Sequence, residues 1–178
     1  GQLITAIQAI EYFSLKGKLL IHNCDTSYKI SQNFEEIDKE YFGVIPYFFS
    51  EGLNWSFLKT HNGEELISEV KEKKRISSKC SVGTYFFRES EELTKLTKKY
   101  LSSINKNINQ ELYISPVYDY AIKKGKSILN LHNIEYVNQI KFQYNSVLTL
   151  KKIKRAELLE DSPLGPCWAW AGQPAGPP

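Results

Sequence analysis

LLIHNCDTSYKI, residues 19–30, decides how the rest of the chain is read. Leu19, Leu20 and Ile21 form an apolar run, bounded by Gly17 before it and the polar NCDTS after it. A short run of this kind predicts a strand covered on both faces, and such strands belong to parallel-type sheets. The strand then runs into a carboxylate. In open α/β sheets ligands gather outside the carboxyl ends of the strands, where connections diverge. Asp25, followed by Thr26 and Ser27, therefore reads in two ways. It can hold a divalent cation that neutralises phosphate charge, or it can cap the turn after a strand, a common place for Asp.

Before this stretch, Leu3, Ala6, Ile7, Ile10 and Phe13 recur at helical spacing. They predict a helix that Gly17 closes before the first strand. SQNFEEIDKE (31–40) reads as a short helix with Ser31 as N-cap. YFGVIPYFF (41–49) reads as a strand that Pro46 pushes towards an edge or a bulge. WSFLKT (55–60), an Asn62-Gly63 turn and ELISEVKEK (65–73) read as a hairpin. CSVGTYFFR (80–88) is a further strand, SEELTKLTKKYLSSI (90–104) a helix capped by Ser90, and ISPVYDYAIKKG (114–125) a helix closed by Gly125. SILNLH (127–132) and IEYV (134–137) are short strands, and a last helix is expected from about Ser146. No internal repeat is present.

A second constellation joins Asp25. Glu72 and Lys73 close the second hairpin strand, and Gly83 interrupts the strand that follows. A glycine inside a strand often marks close approach of a ligand or of another backbone. A carboxylate accepts hydroxyl donors, and an ammonium neutralises phosphate. The plainer reading is a solvated strand end. Tyr113, Tyr118 and Tyr120 read as helix packing, and Cys24 as a small core residue.

Composition removes other classes. The 178 residues carry 23 Lys and Arg against 20 Asp and Glu, a net charge of +3 with no basic track interleaved with aromatics, so nucleic acid is not an expected partner. Three cysteines without Cys-x-x-Cys spacing form neither a disulfide framework nor a metal knuckle and predict a reducing, cytoplasmic setting. His22, His61 and His132 lack metal-ligand spacing. No apolar run approaches the roughly 20 residues of a membrane span. The chain opens on Gly1 and has no methionine, from which a missing upstream segment is expected. Residues 155–178 hold five of the seven prolines and no Lys, Ile or Asn. They read as a disordered or foreign tail behind a body of residues 1–154.

GQLITAIQAI, LLIHNCD, FGVIPYFF, WSFLKTHNGEELISEVKEKKRIS, SVGTYFF and ELYISPVYDYAIKKG, in that order, resemble the later two thirds of a bacterial sugar-1-phosphate nucleotidyltransferase. The WSF and EKKRIS stretches are similar to the branch found in capsule and surface-polysaccharide gene clusters. The resemblance spans about residues 1–137 and implies a three-layer α/β/α Rossmann-like sandwich. Its sheet would be mixed and mostly parallel, here without its first strand and glycine-rich loop.

The resemblance implies nucleotidyl transfer from a nucleoside triphosphate to a sugar 1-phosphate with release of pyrophosphate, assisted by Mg²⁺. It implies Asp25 as the metal-binding carboxylate, Glu72 as the acceptor for sugar hydroxyls and Lys73 as the ligand of the sugar phosphate. Gly83 would line the sugar pocket, YISPVYDY (113–120) would help to frame it, and Gly1 and Gln2 would lie beside the nucleotide. Two departures weigh on activity. The glycine-rich loop that cradles the triphosphate is expected upstream of Gly1, so this piece alone is expected to be inactive. Asn138 stands near the place of a second metal-binding aspartate, and an amide binds such an ion more weakly than a carboxylate. A non-catalytic sugar-nucleotide-binding or regulatory relative is the principal alternative. A glycosyltransferase of similar architecture is weakened by Ser27, where an Asp-x-Asp pair would need a second carboxylate, and a phosphocholine cytidylyltransferase is the remaining alternative. A sheet edge left open where the first strand belongs predicts self-association.

Overall fold

The computed structural model describes residues 1–30, 34, 37, 40–61, 64–104, 111–132 and 134–139. Residues Gly1–Gln139 form one compact unit. The expected helix over 31–40, the Asn62-Gly63 turn itself, the helix from Ser146 and the boundary at 154 fall wholly or largely outside the described residues, as does the side chain of Asn138.

Helix α1 (Gln2–Tyr12) buries Leu3 and Ile10, as its spacing predicts. Gly17 does not close it. The amide of Ser14 donates to the Glu11 carbonyl (3.3 Å) and that of Leu15 to Ile10 (3.0 Å), while Ser14 itself takes φ 50°. This is a Schellman closure three residues before the glycine.

β1 (Leu19–His22) leads through a turn into β2 (Thr26–Ile30), a strand the polar sequence NCDTS does not advertise. β3 (Gly43–Phe49), β4 (Ser56–Thr60), β5 (Ile67–Glu72), β6 (Lys79–Ser81), β7 (Thr84–Phe87), β8 (Ile128–Leu131) and β9 (Ile134–Gln139) complete the strands among the described residues. The main sheet runs β1-β7-β3-β6-β4-β5, with β8 also on β3, and β2 pairs with β9 in a separate ribbon. The sheet is mixed, as expected. Its neighbours, however, are mostly antiparallel, and only β3 and β8 run parallel among the described pairs. The β4–β5 hairpin and the chain reversals around β7 produce that balance. β1 is likewise not buried on both faces: it lies at the end of the strand order, and its residues alternate between half-buried and exposed.

β3 is the central strand, and Pro46 sits inside it. Val44 pairs with Phe86 and Tyr47 with Ser81, so Ile45 and Pro46 face the four residues Val82 to Tyr85. That bulge is where a residue without an N–H is tolerated, and the Pro46 carbonyl still accepts the Val82 amide at 3.2 Å. The strand expected over 80–88 breaks at the same point, around Gly83.

Helix α2 (Ser90–Ser103) starts one residue earlier than a Ser90 cap would allow. The Ser90 hydroxyl instead donates to the Leu15 carbonyl at 2.8 Å, tying the helix to the turn after α1. Helix α3 (Ser115–Lys123) is closed by Gly125 as expected, at φ 78°, with Gly125 N–H on Ile122 and Lys126 N–H on Ala121. Buried side chains of α1, α2 and α3, among them Leu3, Leu93, Val117 and Tyr118, join Ile45, Tyr47, Tyr85 and Phe87 in one core cluster. The alternate residues Val44 and Phe86, on the opposite face, pack with Ile37, Leu129 and Leu131. Burial of these side chains, roughly 1.5–3 kcal/mol each, is what fixes the register of the sheet.

Candidate functional site

A single cleft collects most of the residues singled out from the sequence. Gln2, Asp25, Glu72, Lys73 and Gly83 line it, together with Asn23, Thr26, Asn54, Trp55, Ser56, Ser81, Tyr85 and Tyr113. Each wall follows from an element end: the start of α1 gives Gln2, the turn after β1 gives Asn23 and Asp25, and β5 ends in Glu72. Gly1 stays outside the lining. A Cβ on Gly1 would lie 2.8 Å from the backbone of Leu112, so close chain approach already accounts for a glycine there.

Gly83 occupies the floor at φ 78°, a conformation that favours glycine. Asn23 lies across it, its amide donating to the Gly83 carbonyl at 2.9 Å. The Asn23 side-chain oxygen accepts Gln2 Nε2 at 2.6 Å, so α1, β1 and the bulge are locked together at the cleft.

Glu72 is held from two sides. Its Oε2 accepts the hydroxyl of Ser56 at 2.5 Å and that of Ser115 at 2.6 Å. Ser56 lies 3.2 Å from the Tyr85 hydroxyl. Burial pushes the Tyr85 phenol above its ordinary value, so it remains a neutral hydrogen-bonding group. Two hydroxyls on one oxygen fix the carboxylate plane, and among the described contacts Oε1 is left for another donor.

Lys73 follows at φ 54°, left-handed and unusual for a residue with a long side chain. Its amide donates to the Trp55 carbonyl at 2.9 Å. Its Nζ donates to the Tyr113 hydroxyl at 2.5 Å and lies 4.4 Å from the centre of that ring. Tyr113, read from the sequence as helix packing, is thus a wall of the cleft; Tyr118 does pack the core, fully buried against Phe87. Trp55, Ser56 and Ser115 lie in stretches that carry the resemblance but had no role expected of them, and Asn54 lies outside those stretches; the fold brings all four here. Cys24, expected in the core, is exposed.

Asp25 accepts the Thr26 hydroxyl at 3.2 Å. No group of three or more His, Cys, Asp or Glu side chains among the described residues forms a protein cage for a metal ion. A single carboxylate beside a polar cleft suits a hard cation that takes its other ligands from substrate phosphates and water, as Mg²⁺ commonly does.

Solved structures share this architecture. A nucleoside-diphosphate-sugar pyrophosphorylase from Vibrio cholerae is similar with a TM-score of 0.61 and 28% identity, over 72% of this chain and 55% of that one. An inositol-1-phosphate CTP transferase from T. maritima matches with a TM-score of 0.58 and 12% identity, over 88% and 63%. A putative glucose-1-phosphate thymidylyltransferase from Bacillus anthracis matches with a TM-score of 0.57 and 15% identity, over 76% and 54%. The fold is a nucleotidyltransferase fold. No family model matches the sequence, and no curated protein does. The chain spans between about half and two thirds of the length of these structural neighbours. The cleft lies where β1 and β5, which run in opposite directions in the sheet, both end. No helix among the described residues is long and apolar enough to cross a membrane.

Proposed function

We propose that this cleft is the sugar-phosphate side of a nucleotidyltransferase site, serving transfer of a nucleotidyl group from a nucleoside triphosphate to a sugar 1-phosphate for surface-polysaccharide precursors in the cytoplasm. The observation that carries the reading is the meeting of Asp25, Glu72, Lys73 and Gly83 in one cleft of a nucleotidyltransferase fold. Glu72 accepts sugar hydroxyls through the oxygen its two serines leave open. Lys73 pairs with the sugar phosphate, and Gly83 lines the sugar pocket, its missing Cβ making room for the Asn23 side chain. Gln2, at the start of α1, lies on the nucleotide side with Gly1 behind it.

In the reaction, a phosphate oxygen of the sugar 1-phosphate attacks the α-phosphorus of the triphosphate; that P–O bond forms as the bond to pyrophosphate breaks. The residues here do no covalent work. They orient the sugar phosphate and balance its charge, the main contributions available in phosphoryl chemistry. Asp25 would hold Mg²⁺, which when bound neutralises phosphate charge.

The test is calorimetric titration of the chain with a panel of sugar 1-phosphates in the presence of Mg²⁺, beside a pyrophosphate-release assay with each nucleoside triphosphate. Saturable sugar-phosphate binding that is strongly but measurably weakened in Lys73→Ala, and weakened in Glu72→Gln, is expected. Binding of the panel that neither substitution changes would remove the reading; pyrophosphate release would establish the transfer outright, while its absence from a piece expected to be inactive alone does not count against it.

A further inference from the structure

We infer that Tyr113 is a positioning residue, whose phenol oxygen holds the Lys73 ammonium over the cleft in the place where a substrate phosphate monoester is met. The inference rests on the functional reading above for its ligand, and on geometry alone for the Lys73–Tyr113 pair.

Lys73 follows the last residue of β5, and its left-handed φ of 54° turns the chain away from the strand direction. The Trp55 carbonyl holds the amide in that turn. A lysine side chain is long and loses much freedom when fixed, so a partner is needed to hold it in one place. Tyr113 supplies it through its hydroxyl, at 2.5 Å.

The direction of the hydrogen bonds is fixed by Glu111. A carboxylate only accepts, so the single phenol proton goes to Glu111, to which the Tyr113 hydroxyl is hydrogen-bonded. The remaining lone pairs of that oxygen then face the ammonium. Glu111 therefore acts on Lys73 at one remove.

A phenol differs from a carboxylate in one respect that matters for anion binding. It is neutral, so it orders the ammonium without cancelling its charge. Among the described contacts one of the three N–H bonds of Lys73 is used, and two remain for phosphate oxygens. The hydrogen bond from Lys73 to Tyr113 also holds the ammonium above its ordinary pKa, so Lys73 stays charged wherever the cleft is assayed.

The experiment uses the chain with ¹⁵N-labelled lysine and follows the Nζ–H correlation of Lys73, assigned by its disappearance in Lys73→Met. Without any ligand, the resonance is expected to be visible in the wild type and lost to exchange with water in Tyr113→Phe, with Glu111→Gln intermediate. The second arm measures the Kd for glucose 1-phosphate. Tyr113→Phe is expected to weaken it about tenfold, the lower end of what a hydrogen bond to a charged group contributes. In a Lys73→Ala background the same substitution should change nothing. A Lys73 resonance that persists in Tyr113→Phe overturns the inference, as does an equal loss of affinity in the Lys73→Ala background, which would make Tyr113 a wall of the cleft. If the wild type binds no sugar phosphate, the functional reading falls, and the ligand-free resonance alone decides the positioning role.

Discussion

Asn23 lies where a side chain on residue 83 would have to be. An added Cβ on Gly83 would come within 2.5 Å of the Asn23 amide nitrogen and 3.0 Å of its Cβ, and the Asn23 side chain is itself pinned by Gln2. Gly83→Ala is therefore doubly unfavourable. The left-handed φ of 78° adds roughly 1–2 kcal/mol for a residue with a Cβ, and moving Asn23 breaks the link between α1 and the cleft. We expect Gly83→Ala to lower the urea midpoint by the equivalent of at least about 1–2 kcal/mol. Asn23→Ala made alongside it should recover part of that loss, because the colliding amide is gone. No recovery in the double variant would show that backbone strain alone sets the effect.

The end of α1 makes the opposite prediction. Ser14 adopts φ 50° at the position where a Schellman closure favours glycine. Its side chain is exposed, so nothing is lost from the core by removing it. Ser14→Gly should raise stability by about 0.5–1 kcal/mol, the left-handed strain relieved less the added freedom of the unfolded chain. Chemical denaturation of the two proteins measures this directly.

These two positions also show why the sequence reveals some features and not others. Gly125 and Gly83 could be read because glycine advertises a left-handed backbone, and one does close α3 while the other breaks a strand. Ser14 and Lys73 take the same backbone region without the residue type that signals it. Gly17, which does look like a helix stop, lies beyond the closure. Strand positions were legible from apolar runs, but pairing was not. An apolar run of three cannot tell a strand covered on both faces from an edge strand covered on one, and β1 is the latter. Asp25 and Gly83 stood out by their place at a strand end and inside a strand, while Glu72 and Lys73 drew their roles from the resemblance. Trp55, Ser56 and Ser115 stand in stretches that carry the resemblance but drew no individual role, since hydroxyls and rings are common and only three-dimensional convergence gives them one.

Asp119 links β5 to α3, and its charge can be tested by pH. Its Oδ1 accepts the Val70 amide at 3.2 Å, and its Oδ2 meets Lys123 at 2.8 Å and Lys71 at 3.1 Å. Burial works against ionisation, but the bonds from Lys123, the Val70 amide and Lys71 outweigh it and hold the carboxyl below its ordinary range. A carboxyl with a depressed folded-state pKa contributes its full stability above the unfolded value, near 4, and loses it as pH falls through the folded value. Asp119→Asn should therefore cost about 1–2 kcal/mol at pH 7, with the gap to wild type closing below about pH 4. Urea midpoints taken from pH 7 to pH 2 check both parts. A gap that stays constant with pH would mean that shape rather than charge matters at this position.

The serine pair on Glu72 gives the sharpest test of the cleft. Ser56 and Ser115 come from different elements, β4 and the first turn of α3, yet both donate to the same carboxylate oxygen. Either one alone leaves the carboxylate able to rotate about the bond that remains. Each of Ser56→Ala and Ser115→Ala should therefore weaken sugar 1-phosphate binding several-fold. The double variant should be worse by less than the product of the two, because orientation is lost once. Two single changes in contact through a shared partner commonly couple by about 0.5–3 kcal/mol. Both serines are buried, 8% and 0% exposed, so their loss also touches folding. Affinity must accordingly be compared at a temperature where all four proteins are folded by circular dichroism. Effects on binding that multiply without coupling would mean the hydroxyls serve the core and do not aim Glu72. Coupling that disappears in a Glu72→Gln background would place the effect on the charged carboxylate and its grip on a sugar hydroxyl.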